Sequence, residues 1–216
     1  MALNIFTFFV SITYGVTVCN EHAELDKLLE CLVDNINFND EIIVLQDVTK
    51  KDAATTAVIQ KYGGKIKHVE AKLDNDFASF KNLLIKHAKS KYLFQIDADE
   101  LPKVYLLKNL KRKLFKKRDF DCFLIPRINI VNGYTNEHRE KWNWNVNPEG
   151  YINFPDYQPR VVRLNGKIRW KNKVHEVFTG YKNQYFIADK NYRMCLLHIK
   201  DIDRQQRQND FYDTLV

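Results

Sequence analysis

The sequence predicts an α/β protein: a mostly parallel, Rossmann-like sheet with helices on both faces, followed by a smaller mixed half. Three observations carry that prediction. Strand-like and helix-like segments alternate through the first half of the chain. The strands are short, apolar and β-branched, and the segments between them repeat apolar residues at helical spacing. The strands also end in acid: Asp47 closes one, and Asp97, Asp99 and Glu100 crowd the tip of another. In open parallel sheets ligands bind beyond the carboxyl ends of the strands, so these carboxylates mark a candidate site.

Ile12 to Cys19 reads as the first core strand, with residues 1–11 as a leading segment. HAELDKLLECLVDN then places Leu25, Leu28, Leu29, Leu32 and Val33 on one helical face. EIIVLQD is a second strand ending on Asp47. Asp52 caps the next helix, which turns Ala54, Ala57 and Val58 inward and stops at Gly63-Gly64. KIKHVE alternates as a third strand, and DFASFKNLLIKHAKS is a helix with Phe77, Phe80 and Leu84 on one side. Tyr92 to Ile96 is the strand that runs into the carboxylates. Parallel strands need such crossover helices.

The second half changes character. KVYLLKNLKRKLFKKR is an amphipathic helix with Val104, Leu107, Leu110 and Leu114 inward and a heavily basic outer face. DCFLIPRINIVNGY is strand-like. Residues 134–159, rich in Asn, Trp, Tyr and Pro, read as a long functional loop. RVVRLNGKIRW reads as a hairpin turning at Asn165-Gly166, KVHEVF follows, and the tail DIDRQQRQNDFYDTL is a polar helix. No repeat or linker interrupts the chain, so one domain over 1–216 is expected.

Composition narrows the class. Hydrophobic content of 45% with 28% charged residues predicts a soluble globular protein. The four cysteines, Cys19, Cys31, Cys122 and Cys195, are scattered with no C-x-x-C pair, which argues against a zinc site or a disulfide framework. The apolar start lacks the basic residues of a signal peptide and is interrupted by Asn4, Thr7, Ser11 and Thr13, so neither a leader nor a membrane span is expected. A cytoplasmic protein is predicted, in the host cytoplasm if the source is viral. The net charge of +7 favours polyanionic partners, DNA among them, without choosing one.

A bare D-x-D carries little, because the chain has four: Asp74/Asp76, Asp97/Asp99, Asp119/Asp121 and Asp201/Asp203. Only Asp97/Asp99 ends an apolar strand inside a βα unit; a turn and helix start before Leu101-Pro102 is the plain alternative. With seven glycines and neither G-x-G-x-x-G nor G-x-x-x-x-G-K-[ST], a glycine phosphate cradle is disfavoured. A bound diphosphate would then need basic side chains and a divalent ion, Mn²⁺ or Mg²⁺, held by such a carboxylate pair.

The stretches TVCNE, DEIIVLQD with Asp52 after it, KYGGKI, DFASFKN, FQIDADE, RVVRL, KVHE and LLHIK occur in this order. Together they resemble the family 2 glycosyltransferases of the GT-A fold, especially short bacterial and phage members, over roughly Ile12 to Tyr212. The resemblance implies a nucleotide-sugar-binding half over 12–100 and an acceptor-binding half with a C-terminal helix over 101–216. It implies an inverting, metal-dependent transferase using a nucleotide diphosphosugar, most commonly a UDP-sugar. Cys19, Asn20, Glu21, Asp47, Lys81, Asn82 and Asp97 would border the donor nucleotide. Asp99 and His198 would hold the ion. Glu176 is the implied base, with His175 beside it and Asp156 as its rival. Arg160, Arg163 and Arg169 are candidates for the phosphates, or solvated strand edges. Trp142, Trp144 and Tyr151 stack on an acceptor or form a small core.

The chain departs from the family's pattern in DVTKKD after the second strand and in HE where ED is usual. The implied acceptor is a surface or lipopolysaccharide glycan, or a hydroxymethylated base in phage-type DNA. A nucleotidyltransferase of related fold and a non-catalytic nucleotide- or nucleic-acid-binding module are the rival readings.

Overall fold

A computed structural model describes residues 9–188 and 191–213; the leading-segment expectation falls outside the described residues for positions 1–8. The elements run β1 (Ile12–Val18), α1 (His22–Asn35), β2 (Glu41–Asp47), α2 (Ala53–Lys61), β3 (Lys67–Ala71), α3 (Phe77–His87), β4 (Tyr92–Asp97), β5 (Glu100–Pro102) and α4 (Val104–Lys116). There follow β6 (Cys122–Asn132), α5 (Asn136–Lys141), β7 (Ile152–Arg163), β8 (Arg169–Lys171), β9 (Val177–Thr179), β10 (Gln184–Phe186), β11 (Leu196–Asp201) and α6 (Ile202–Asp213).

One sheet runs β3-β2-β1-β4-β7-β6-β11-β5, with β10 paired to β6. The first four strands are parallel. β7 enters antiparallel between β4 and β6, so the second half is mixed, as expected. The α/β architecture, a sheet parallel in its first half and mixed in its second, is the one expected. Alternation along the strands decides the two faces. Ile12, Tyr14, Val16, Tyr92, Phe94 and Ile96 pack with Leu25, Leu28, Leu29 and Leu32 of α1 and with Leu106, Leu107, Leu110 and Leu114 of α4. Ile43, Leu45 and Leu93 turn the other way, onto Phe80 and Leu84 of α3 and onto Trp170 and Phe178 of the β8–β9 hairpin. Full burial of each such side chain contributes about 1.5–3 kcal/mol. Among the described residues no helix is long and apolar enough to cross a membrane.

Four local expectations are corrected. Val104 is 49% exposed, because it opens the ridge Val104–Lys108–Arg112–Lys116 on the outer side of α4. Ala54 and Ala57 face solvent, and Thr55 and Ile59 are the buried residues of α2. Asp52 sets that phase: its carboxylate accepts from the Thr55 amide at 2.7 Å and hydroxyl at 2.6 Å. Residues 134–159 are not one loop, because α5 and the first part of β7 lie within them. The turn at Asn165-Gly166 exists, with Gly166 at φ +77°, yet β8 pairs with β9 rather than with β7.

The β8–β9 hairpin carries His175 and Glu176 in its connection. Gly180, just after it, has φ +87°, and a Cβ there would lie 2.1 Å from the Lys167 carbonyl oxygen. Gly180→Ala is therefore expected to lower unfolding stability by about 3 kcal/mol in a urea titration, combining left-handed strain and overpacking.

Candidate active site

A cleft of about 780 Å³ opens at the carboxyl ends of β1, β2 and β4. The acidic tip of β4 stays together because cations from other elements reach it. Glu100, with no side-chain exposure, takes the Arg160 guanidinium at 2.5 Å and Arg127 at 3.1 Å. Asp97 accepts from Arg160 at 2.9 Å and from the Thr17 hydroxyl at 2.8 Å, with Lys81 at 3.5 Å. Burial pushes the Asp97 carboxyl up, but Lys81 and Arg160 outweigh it and hold the group far below the usual carboxylate range. Lys81 donates to Glu176 at 2.5 Å and lies 5.2 Å over the Trp170 ring.

Asp99 has a different set: His198 Nε2 at 3.3 Å, Arg204 at 3.4 Å and Lys200 at 3.5 Å. Burial again pushes the Asp99 carboxyl up, and the His198 bond and the Lys200 charge carry it well below the ordinary value. The His198 tautomer follows from its neighbours. Asn129 donates through Nδ2 to Asp156 at 2.9 Å, so its Oδ1 accepts from His198 Nδ1 at 2.8 Å. Burial lowers the His198 pKa despite Asp99 beside it. Nε2 then faces the Asp99 carboxylate at 3.3 Å, donating to it when protonated and offering a lone pair to a cation when neutral. Two electron-pair donors facing each other favour a cation between them, as second-shell bonding arranges in metal sites. Among the described residues no group of three or more His, Cys, Asp or Glu forms a metal cage. A two-donor seat suits an ion that takes its remaining ligands from phosphate and water.

Asp156 is enclosed by Arg127 (2.9 Å to Nε, 2.7 Å to Nη2), Asn129 (2.9 Å) and Gln158 (2.6 Å). Burial pushes its carboxyl up; Arg127 and these bonds together bring it below its ordinary value. Glu176 has Lys81 on Oε1, and its second oxygen has no protein partner among the described residues. Asp47 Oδ1 accepts from the amide and hydroxyl of Thr49 at 2.9 and 2.6 Å and from the Leu73 amide at 3.1 Å, so it braces the turn at the rim. Glu21 accepts from the Cys19 and Asn20 amides at 2.9 and 3.1 Å. Burial, with Asp47 and Glu21 nearby, pushes the Cys19 thiol up to about 11, which leaves it unreactive at neutral pH.

The cleft thus gathers Cys19, Glu21, Asp47, Lys81, Asp97, Asp99, Trp144, Asp156, Arg160, His175, Glu176 and His198. Other candidates lie outside it. Asn20 is exposed. Asn82 clamps α3 to β8, donating to the Trp170 carbonyl at 3.0 Å and accepting its amide at 2.8 Å. Arg163 turns away to the Arg118 and Phe120 carbonyls, and Arg169 reaches only the Lys167 carbonyl. Trp142 stacks on His138, with centroids 5.2 Å apart, and Tyr151 packs on Tyr192. Sequence reasoning missed Arg127, Asn129, Gln158, Lys200 and Arg204. Arg127 and Asn129 had a signal: two polar residues spaced by two in an apolar strand share a face.

The family description "Glycosyl transferase family 2" matches residues 14–182. The SPbeta prophage-derived glycosyltransferase SunS of Bacillus subtilis (strain 168) and the glycosyltransferase SunS of Bacillus phage SPbeta are each 29% identical to this chain over 178 residues. The match covers 80% of this chain and 36% of each relative, so the chain spans about a third of their length. Among solved structures, S. aureus TarS 1–349 is similar with TM-score 0.62 and 14% identity, over 88% of this chain and 60% of that one. The same fragment in complex with UDP-GlcNAc gives TM-score 0.60 and 14% identity, over 88% and 58%.

Two outcomes follow from the charge network. Glu100→Gln removes the buried carboxylate that Arg127 and Arg160 share, leaving them Asp156 and Asp97 alone, and is expected to cost about 3 kcal/mol of unfolding stability. The depressed Asp156 pKa contributes stability that is complete above its unfolded value of about 4 and is lost as pH falls through the folded value. The advantage of the wild type over Asp156→Asn should therefore shrink between neutral pH and about pH 3 in urea titrations.

Proposed function

The chain belongs to glycosyl transferase family 2, and from that premise we propose that it moves a sugar from a UDP-sugar to an acceptor hydroxyl with inversion. The observation that carries the reading is the Asp99–His198 donor pair, set among cations at the carboxyl ends of the strands. The uridine would lie against the rim built by Cys19, Glu21 and Asp47, with Asp97 and Lys81 toward the ribose and phosphates. Asp99 and His198 would hold Mn²⁺ or Mg²⁺. When bound, such an ion neutralises charge growing on the leaving diphosphate. TarS, a structural neighbour, is known in complex with UDP and with UDP-GlcNAc, which supports the choice of nucleotide.

Lys200 and Arg204 flank Asp99, and they would take the diphosphate's outer oxygens. Glu176 removes the proton of the attacking hydroxyl through its unengaged oxygen. Asp156, with every side of its carboxylate occupied, is the weaker base and serves to orient Arg127 and Asn129. One base and one direct displacement give inversion at the sugar carbon.

The acceptor side of the cleft offers Trp144, Asn129, Asn153 and Gln158, groups that stack on and hydrogen-bond to a sugar. The cations of α4 do not line it. A glycan hydroxyl is therefore the acceptor we favour over a base in DNA.

UDP at a hundred times its Kd should raise unfolding stability by about 2.7 kcal/mol with Mn²⁺. EDTA or Asp99→Ala should abolish that gain. Glu176→Gln should keep it and lower turnover by about 10²–10⁴-fold. No stabilisation by any nucleoside diphosphate, with or without metal, would overturn the reading.

A further inference from the structure

The basic helix singled out in the sequence takes no part in the cleft. Residues 103–118 contain no Asp or Glu. Two parallel ridges form the outer side of α4: Val104, Lys108, Arg112 and Lys116, and beside them Tyr105, Asn109, Lys113 and Lys117. Each steps by four residues, so the first ridge extends about 18 Å at 1.5 Å per residue. Lys111 points inward and is neutralised by Asp40 at 2.7 Å. The ridge cations have no acidic partner among the described residues. Lys108 donates to the Asn35 carbonyl, Arg112 leans on Asn109, and Lys117 lies over Tyr185.

A second pocket of about 310 Å³ lies against this face, lined by Arg112, Lys113, Lys116, Lys117 and, from the segment before β11, Arg193. None of its described lining residues is acidic. The helix dipole favours Lys113 and Lys116 in the last turn. It does not account for Arg112 further up the ridge, or for Arg193, which belongs to another segment. At the start of the first ridge Val104 faces out at 49% exposure, and Tyr105 beside it lines the pocket.

We propose that this face of α4 docks on a bilayer surface bearing anionic phospholipid, with a headgroup phosphate entering the pocket and Val104 reaching the acyl boundary. Cations along a helix with apolar side chains beside them suit a charged interface. A surface for single-stranded nucleic acid would offer a bare aromatic face for base stacking. Here the Arg193 guanidinium lies 3.7 Å over the Tyr105 ring and covers it. The docking is independent of the donor chemistry, so either can fail without the other.

The test is co-sedimentation of the full chain with vesicles of phosphatidylcholine alone and of phosphatidylcholine mixed with phosphatidylglycerol. Binding is expected only to the mixed vesicles, and it should weaken as added salt shortens the Debye length. The variant K108Q/R112Q/K116Q should lose about a hundredfold in partitioning, at roughly fivefold per charge. Its melting temperature reports that it is folded. The variant K50Q/K65Q/K72Q removes the same net charge from exposed positions elsewhere and should bind like the wild type. Failure to bind the mixed vesicles overturns the proposal, as does equal loss in both triple variants. Preferential retention of duplex DNA, lost in K108Q/R112Q/K116Q, assigns the face to nucleic acid and also overturns it.

Discussion

An unbroken series of alternating charges runs through the core of the cleft, and the rest of the site depends on it. It passes from Glu176 to Lys81, Asp97, Arg160, Glu100, Arg127 and Asp156, with successive contacts of 2.5, 3.5, 2.9, 2.5, 3.1 and 2.7 Å. Both candidate bases are its ends. Within it Glu100, whose side chain has no exposure, holds both arginines, Arg160 on one side and Arg127 on the other. Buried pairs of this kind add little net stability over apolar packing; what they fix is geometry. Here the series ties β4, β5, β6, β7, α3 and the β8–β9 connection to one another at the point where the sheet changes from parallel to mixed.

That constraint explains why three carboxylates close the β4 region without repelling the chain apart. Cations from other elements meet them in two groups. Asp97 and Glu100 share Arg160, while Asp99 stands apart with His198, Lys200 and Arg204. The separation matters for chemistry. Asp97 is saturated by protein partners, whereas Asp99 faces the His198 imidazole and the cleft.

The parallel half was legible because its signals are local. Alternation in EIIVLQD and YLFQID, helical spacing in HAELDKLLECLVDN and the Asp52 cap each decide structure within a few residues. The second half was less legible because its decisive contacts are distant. Asn153, Pro155 and Pro159 look like loop residues, yet they sit in β7, which β4 and β6 hold from either side. Ala54 and Ala57 were misplaced because alanine carries almost no directional signal, and the cap set the phase instead. Arg204 lies in a polar helix where any residue would pass for solvated. Only the fold brings it within 3.4 Å of Asp99 and 2.7 Å of Glu24. His198 was readable as a candidate, but the tautomer that makes it a donor depends on Asn129 and Asp156, far apart in sequence.

The central claim is that the neutral His198 imidazole and the Asp99 carboxylate form a two-donor seat completed by the diphosphate. Pulsed electron paramagnetic resonance of Mn²⁺ with the protein and UDP tests it most directly. The account predicts a coupling to one histidine nitrogen, absent in His198→Gln and absent when UDP is omitted at the same Mn²⁺ concentration. Bound Mn²⁺–UDP with no nitrogen coupling in the wild type, or a coupling that survives His198→Gln, would contradict it.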